Sequence, residues 1–162
     1  MSDGTITCPG CGEVLSDKEM GSSKNYNASA MCEELFNELS GHTLSMVYTN
    51  FIHQYVVDAY GAQHAGPPTK NIRVIFSLIG LCLAVEHNYT GRQVQLVHMK
   101  IPKQNWPALE PPAEQATVTV ADVLNCDGEE GKVSMIKTWA ASVWESWRKH
   151  QGYIREITAK YI

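Results

Sequence analysis

From Ser29 onward, apolar residues recur along the chain at the three- and four-residue spacing of amphipathic helices. Ser29 is suited to cap a first helix, which we predict to end at Gly41. A second helix is predicted from about Thr43 to His64, because the Ala-Gly-Pro-Pro run after it cannot continue a helix. These two helices are expected to pack antiparallel around the turn at Gly41.

Residues 69–88 are apolar on nearly every side of a predicted third helix, which therefore belongs at the centre of the molecule. A last helix is predicted over residues 129–161, with a possible break at Gly152. On its exposed face, Glu145 and Lys149 are spaced to form an ion pair.

Two shorter helices are predicted between these long ones. Thr90 is suited to cap a helix over residues 91–99, and Thr119 with Asp122 has the pattern of a capping box. Residues 101–112 include four prolines and are predicted to form an irregular loop.

Residues 1–25 contain turn-forming and polar residues without a sustained period, so we expect an irregular arm there. The predicted architecture is all-α: a helical bundle over residues 29–162 with a metal-binding arm, residues 1–28, and a Pro-rich loop. A chain of 162 residues is of the usual size for one domain, so residues 1–162 are expected to form a single domain.

Composition and charge narrow the possible partners. The 44% hydrophobic and 19% charged residues are typical of a globular protein. A net charge of −4 disfavours nucleic acid as a partner. The longest apolar run, residues 74–85, is well short of the ~20 residues that cross a bilayer, and residues 1–7 do not resemble an export signal. We therefore expect a cytoplasmic protein that does not enter membranes.

The segment Cys8-Pro9-Gly10-Cys11-Gly12 has the pattern of a zinc knuckle. A tight turn at Pro9 and Gly10 can bring both sulfurs to one ion at ~2.3 Å, and Gly12 lets main-chain amides approach them. A redox pair is the alternative, but such a pair normally opens a helix in a strand-helix-strand unit, and nothing around Cys8 predicts one. We therefore predict half of a tetrahedral site, with zinc as the cofactor.

The other two ligands must come from elsewhere in the chain. Counted from the predicted turn at Gly41, Cys32 and His53 lie at about the same level of the two helices, whereas His64 is roughly 16 Å further along. The preferred metal ligands are therefore Cys8, Cys11, Cys32 and His53. Cys82 is the main competitor of His53 for the fourth place, and His64 also stays open as an alternative there. Cys32 has the alternative role of a small buried apolar residue.

Three polar residues near the end of the second helix form a candidate catalytic group: Asp58, Tyr60 and His64. In the functional interpretation, Asp58 and His64 exchange protons in a small pocket and Tyr60 donates a hydrogen bond. In the structural interpretation, which the spacing favours, they form a buried polar network that fixes the end of the helix.

Several motifs together resemble a bacterial family of uncharacterised proteins, domain-of-unknown-function family 5946. The resemblance covers nearly the whole chain, and the motifs that carry it are Cys8-Pro9-Gly10-Cys11-Gly12, Cys32, His53, Asp58-Ala59-Tyr60, Gln63-His64, Leu81-Cys82-Leu83 with Glu86, Trp106, Leu109-Glu110-Pro111-Pro112, Thr119-Val120-Ala121-Asp122-Val123, Trp139 and Trp144. It implies that the knuckle belongs to a shared pattern with Cys32, His53, Asp58, Tyr60 and His64. It implies no activity.

Two functions are compatible with these residues. The first, which we take as the leading hypothesis, is a metal-dependent enzyme that acts on a small molecule through a polar pocket beside the ion. The second is a zinc-stabilised binding or adaptor domain without catalysis, which recognises a small molecule or a protein partner. Catalytic zinc keeps a coordination position open for water, whereas four protein ligands with thiolates in the majority are typical of structural zinc. The number of protein ligands therefore discriminates between the two.

Overall fold

The computed structural model of the protein describes residues 4–17, 25–47 and 49–162. Within these ranges the chain forms seven α-helices and one small sheet, which confirms the all-α expectation. The elements are β1 (Thr5–Thr7), β2 (Val14–Ser16), α1 (Ala30–Leu44), α2 (His53–Gln63), α3 (Asn71–Glu86), α4 (Gly91–His98), α5 (Val120–Leu124), α6 (Gly128–Ser146) and α7 (Gln151–Ala159), with a 3₁₀ turn at Arg148–His150 before α7.

Helix α3 is the centre of the bundle, as its apolar sequence predicts. It packs against α2, α4, α6 and α7. Leu78, Ile79 and Leu81 are completely buried although they point in different directions around the helix. None of the helices in the described ranges is both long enough and apolar enough to span a lipid bilayer.

The first two helices are antiparallel, as predicted, but their bounds differ from the prediction. Helix α1 runs through Gly41 to Leu44, and α2 begins only at His53. The backbone of Asn50 and Phe51 in the connection has positive φ angles of 52° and 62°, which interrupt a helix. This interruption could not be predicted from the sequence, because neither residue is a glycine or a proline.

The three predicted helix caps are confirmed. The Ser29 side chain accepts a hydrogen bond from the Cys32 amide at 3.2 Å, which fixes the first turn of α1. Thr90 starts α4 and Thr119 starts α5, each in a capping box. The Pro-rich segment between α4 and α5 is irregular, as predicted.

The predicted last helix is two helices. The break falls at Trp147, whereas Gly152 lies inside α7. The Trp147 side chain is buried, and its indole N–H donates to the Ala62 carbonyl at 3.2 Å, so the chain turns there and α7 packs back on α3. The turn also changes the predicted ion pair: Arg148, not Lys149, lies 3.7 Å from Glu145.

In its described residues, 4–17 and 25–28, the amino-terminal arm is more regular than predicted; residues 1–3 and 18–24 of the predicted arm lie outside the described ranges. Strands β1 and β2 pair antiparallel, with Thr5 opposite Ser16 and Thr7 opposite Val14, and the cysteine knuckle forms the turn between them. Three-residue strands are too short for their alternation to be read from sequence. The hairpin presents both knuckle cysteines at one end.

Candidate metal centre

Four side chains converge where the knuckle meets the helix pair. The ligand atoms of Cys8, Cys11, Cys32 and His64 all lie within 4.8 Å of one another. Bonds of ~2.3 Å from a tetrahedral zinc to sulfur require S···S distances of about 3.8 Å. Cys11 Sγ and Cys32 Sγ are 3.8 Å apart, and Cys32 Sγ is 3.3 Å from His64 Nε2. The spacing of the donor atoms therefore fits a single tetrahedral ion.

The cluster is closed to solvent. Cys8, Cys32 and His64 are completely buried, and Cys11 is only 5% exposed. Since water has almost no access to the four donor atoms, an ion bound to all of them would have no position left for a substrate.

The turn of the knuckle is fixed by its main chain. The Cys8 amide donates to the Glu13 carbonyl at 2.8 Å, and the Gly12 amide donates to the Cys8 carbonyl at 2.9 Å. Gly12 has a φ of +82°, a conformation that glycine adopts without strain. Both sulfurs are thereby held on the same side of the turn.

Gly10 is needed for a different reason. A Cβ atom placed on it would lie 2.5 Å from His64 Cδ2 and 2.6 Å from the Asn27 carbonyl oxygen. The knuckle main chain can therefore cover the imidazole of His64 only because residue 10 lacks a side chain.

The third cysteine is contributed by the first turn of α1. Cys32 follows the Ser29 cap, where the positive end of the helix dipole stabilises a thiolate. Hydrogen bonds from Cys11 and then Cys32 hold the pKa of Cys8 well below its usual range. Hydrogen bonds with Cys11 and Cys8, together with burial, outweigh the helix dipole and raise the pKa of Cys32. The three thiols thus favour a thiolate at Cys8, the protonation state that binds a metal.

The orientation of His64 is set by α2 itself. His64 Nδ1 lies 2.9 Å from the Tyr60 carbonyl oxygen, one turn earlier in the same helix. A carbonyl can only accept, so Nδ1 carries the proton and donates. The unprotonated Nε2 then faces the sulfurs, in the arrangement usual for a metal-binding histidine.

The histidine of the cluster is His64 and not His53, which corrects the sequence-based choice. His53 starts α2 at the opposite end of the helix pair, where its Nδ1 is hydrogen-bonded to Thr43 Oγ1 at 2.8 Å. The prediction counted residues along both helices from a turn at Gly41. That starting point was wrong, because α1 ends at Leu44 and α2 begins at His53. Counted from those ends, Cys32 is 12 residues from the connection (44 − 32) and His64 is 11 (64 − 53).

Two signals in the sequence could have identified His64. Ser29 as a cap places Cys32 at the amino-terminal end of α1, and Pro67 marks the carboxyl-terminal end of α2. In an antiparallel pair these two ends are neighbours. His64 sits just before the proline and is therefore at the level of Cys32.

The two remaining cysteines are outside the cluster. Cys82 is buried in α3, and burial raises its pKa to about 11. Cys126 lies in the turn after α5, with its Sγ 3.4 Å from the Asp122 carbonyl oxygen. Neither is grouped with the four convergent side chains.

The three residues predicted as a catalytic group point to two different sides of α2. Tyr60 and His64 face α1: their rings stack with centroids 3.9 Å apart, and the Tyr60 hydroxyl donates to Cys32 Sγ at 3.4 Å. Asp58 faces α3, where Gly80 leaves room for its carboxyl group. The assignment of Asp58, Tyr60 and His64 to catalysis stays a prediction.

Asp58 has the environment of a buried neutral acid. Burial raises the pKa of Asp58 well above its usual range, although a hydrogen bond from Gln54 Nε2 at 3.1 Å acts in the opposite direction. A Cβ on Gly80 would lie 1.9 Å from Asp58 Oδ2, so the two helices meet closely at this point. This contact holds α2 against α3.

A cleft of about 340 Å³ opens beside the knuckle. One side is formed by Pro9 and Gly10, and another by the end of α2. The third side is formed by residues 111–116, at the end of the Pro-rich loop and just after it, and by the end of α6. A larger cleft of about 710 Å³ continues over the Pro-rich loop. Neither cleft is lined by Asp58, Tyr60 or His64.

The fold and the cluster define a class: an all-α protein in which a short hairpin and a helix pair bring three cysteines and one histidine together. The chain belongs to the family of unknown function DUF5946, whose sequence profile matches residues 6–148. The resemblance noted in the sequence is therefore confirmed. Comparison with curated proteins and with solved structures gave no match. Function must accordingly be argued from the site.

Proposed function

We propose that this protein is a zinc-stabilised binding domain in which the ion has a structural role. The observation that carries the proposal is the convergence of three cysteines and one histidine in a pocket closed to solvent. Zinc with four protein ligands, most of them thiolates, is typical of structural sites, whereas catalytic zinc keeps a position open. The enzyme hypothesis is the less well supported of the two for this reason.

The chemistry of the donor set favours zinc over harder cations. Three sulfurs and one imidazole nitrogen, Nε2 of His64, suit a soft, tetrahedral ion, whereas magnesium and calcium require oxygen ligands. The 3.8 Å between Cys11 Sγ and Cys32 Sγ is the edge length expected for zinc.

The ion would join three parts of the chain: the hairpin through Cys8 and Cys11, the start of α1 through Cys32, and the end of α2 through His64. All three residues of β1 are exposed, as are the two outer residues of β2. The hairpin therefore buries little apolar surface of its own. In this proposal the metal, more than hydrophobic contact, attaches the arm to the bundle.

The binding surface in this proposal is the 340 Å³ cleft beside the knuckle, whose size is at the lower end of small-molecule sites. Gln115 Nε2 donates to the Pro9 carbonyl at 3.2 Å, which links the Pro-rich loop to the knuckle. Among the residues that the structure describes, Glu114 is the one charged side chain that lines this cleft. The cleft therefore favours a neutral or positively charged small molecule or peptide over an anion.

Metal analysis with cobalt substitution tests the structural role. We expect one zinc per chain in freshly purified protein, and a cobalt form whose tetrahedral thiolate spectrum does not respond to azide or cyanide. Cys8→Ser is expected to lose the metal and Cys126→Ser to retain it. A spectrum that changes with added anions would show an open position and favour an enzyme. Absence of bound metal would overturn the proposal.

A ligand screen tests the cleft separately. Neutral, cationic and anionic compounds are compared by the NMR shift of the indole N–H of Trp147, a residue that lines the cleft. We expect neutral or cationic binders whose cationic members weaken in Glu114→Gln. Binding by anions alone would contradict the charge argument.

A further inference from the structure

Tyr60 contacts two of the four convergent side chains in three different ways. Its hydroxyl donates to Cys32 Sγ at 3.4 Å, its ring stacks on the His64 imidazole, and its main-chain carbonyl accepts the proton of His64 Nδ1. Tyr60 is also completely buried, so its hydroxyl has no alternative partner in bulk water.

The position of the Tyr60 ring is fixed from both sides. Phe36 of α1 stacks on it with centroids 4.1 Å apart and planes within 7° of parallel, opposite the stacked His64. Tyr26 meets the ring edge-on at 5.1 Å. With the ring held in this way, the hydroxyl is directed at Cys32 without further loss of conformational freedom.

The charge of a metal centre of this composition explains why such a donor is needed. Three thiolates and a neutral imidazole around a divalent ion carry a net charge of −1, and burying that charge is costly unless it is hydrogen-bonded. The Tyr60 hydroxyl provides such a hydrogen bond to Cys32 Sγ.

We propose that Tyr60 is a positioning residue of the metal centre, which stabilises the Cys32 thiolate through its hydroxyl and orients His64 through its ring and carbonyl. This inference rests on the proposed metal centre. It adds a specific residue outside the ligand set whose removal alters the properties of the bound ion while all four ligands remain.

The test is Tyr60→Phe, which removes the hydroxyl and keeps the stacked ring. We expect zinc affinity to fall by about tenfold, the lower end of the usual effect of outer-sphere partners. In the cobalt form, the sulfur-to-metal charge-transfer bands should move to lower energy, because a thiolate without its hydrogen bond gives up electrons more readily. Tyr55→Phe is the matched control: Tyr55 is also buried in α2, but its hydroxyl donates to the Tyr89 carbonyl.

The outcomes separate the two proposals. If wild-type protein binds no cobalt through thiolates, the metal centre itself is wrong. If the wild type binds cobalt and Tyr60→Phe gives the same spectrum and affinity, only the role of Tyr60 is overturned. A measurement without a variant is also available: in wild-type protein loaded with ¹¹³Cd, the Tyr60 hydroxyl proton should show coupling to the metal through the hydrogen bond. Absence of that coupling would contradict the inference.

Discussion

At the scale of single residues, the candidate centre depends on the orientation of His64 and on the small size of Gly10. His64 turns its Nε2 toward the sulfurs because the Tyr60 carbonyl holds Nδ1, and Gly10 leaves the space that the imidazole occupies. Each of these residues can be changed without altering a cysteine. The donor geometry can therefore be tested one atom at a time.

The choice of histidine gives the first prediction. His64→Ala should lose bound metal, because one of the four donor atoms is removed, whereas His53→Ala should keep it. The measurement is metal content per chain by elemental analysis after gel filtration. Retention of metal by His64→Ala, with loss in His53→Ala, would reverse the assignment.

The close contact at Gly10 gives a second prediction. Gly10→Ala should weaken zinc binding and lower the free energy of unfolding by roughly 1–3 kcal/mol, because the added methyl group meets the His64 ring and the Asn27 carbonyl. Gly41→Ala is the control. Gly41 lies inside α1 with nothing within 4 Å of an added Cβ, so alanine should raise stability by about 0.5–1 kcal/mol. Urea titrations of the two variants give both values.

At the scale of elements, helix α2 carries different chemistry on its two sides. Tyr60 and His64 face the cysteine cluster, while Asp58 faces Gly80 on α3. The caps, the helical periodicity and the proline stop could be predicted because they depend on residues close together in sequence. The end of α1 and the start of α2 could not be predicted. They depend on positive φ angles at Asn50 and Phe51, and these residue types do not predict that conformation.

The α2–α3 contact gives a third prediction, on pH. Burial raises the pKa of Asp58 in the folded protein, so the folded state prefers the neutral acid. This preference contributes fully to the free energy of unfolding at pH values below the pKa of Asp58 in the unfolded chain, near 4. The contribution is lost as the pH rises toward the pKa of Asp58 in the folded protein, by up to about 1.4 kcal/mol per pH unit. Asp58→Asn keeps a neutral side chain. Its stability relative to wild type should therefore increase between pH 5 and pH 8.

Urea unfolding at a series of pH values measures this difference. Asp127→Asn, at an exposed carboxyl group, is the matched control for the substitution. A constant difference between Asp58→Asn and wild type across the range would mean that Asp58 is charged in the folded protein.

At the scale of the whole molecule, the ion and the hydrophobic core would stabilise different parts. The core around α3 includes the buried side chains of Trp139, Trp147 and Ile154. Of the hairpin of residues 5–16, the two cysteines belong to this core and Leu15 packs against it. The proposed ion therefore adds to the few contacts that attach the hairpin to the bundle.

Removal of the ion gives a fourth prediction. A chelator should lower the melting temperature and expose the amino-terminal hairpin to proteolysis, while far-ultraviolet circular dichroism retains most of its helical signal, because the bundle core is independent of the ion. Limited proteolysis with mass spectrometry identifies the cleavage sites. Collapse of the helical signal on chelation would show that the ion stabilises the entire fold.

By itself the sequence determined the helical class, the central α3, three helix caps and three of the four convergent side chains, Cys8, Cys11 and Cys32. These follow from periodicity and from motifs whose residues are neighbours along the chain. The tertiary structure decided which histidine joins the cysteines and which side of α2 Asp58 faces. The physical reason is that the relative level of two packed helices depends on the path of the chain between them, and that path, through Asn50 and Phe51, is set by contacts with distant residues such as Gly91.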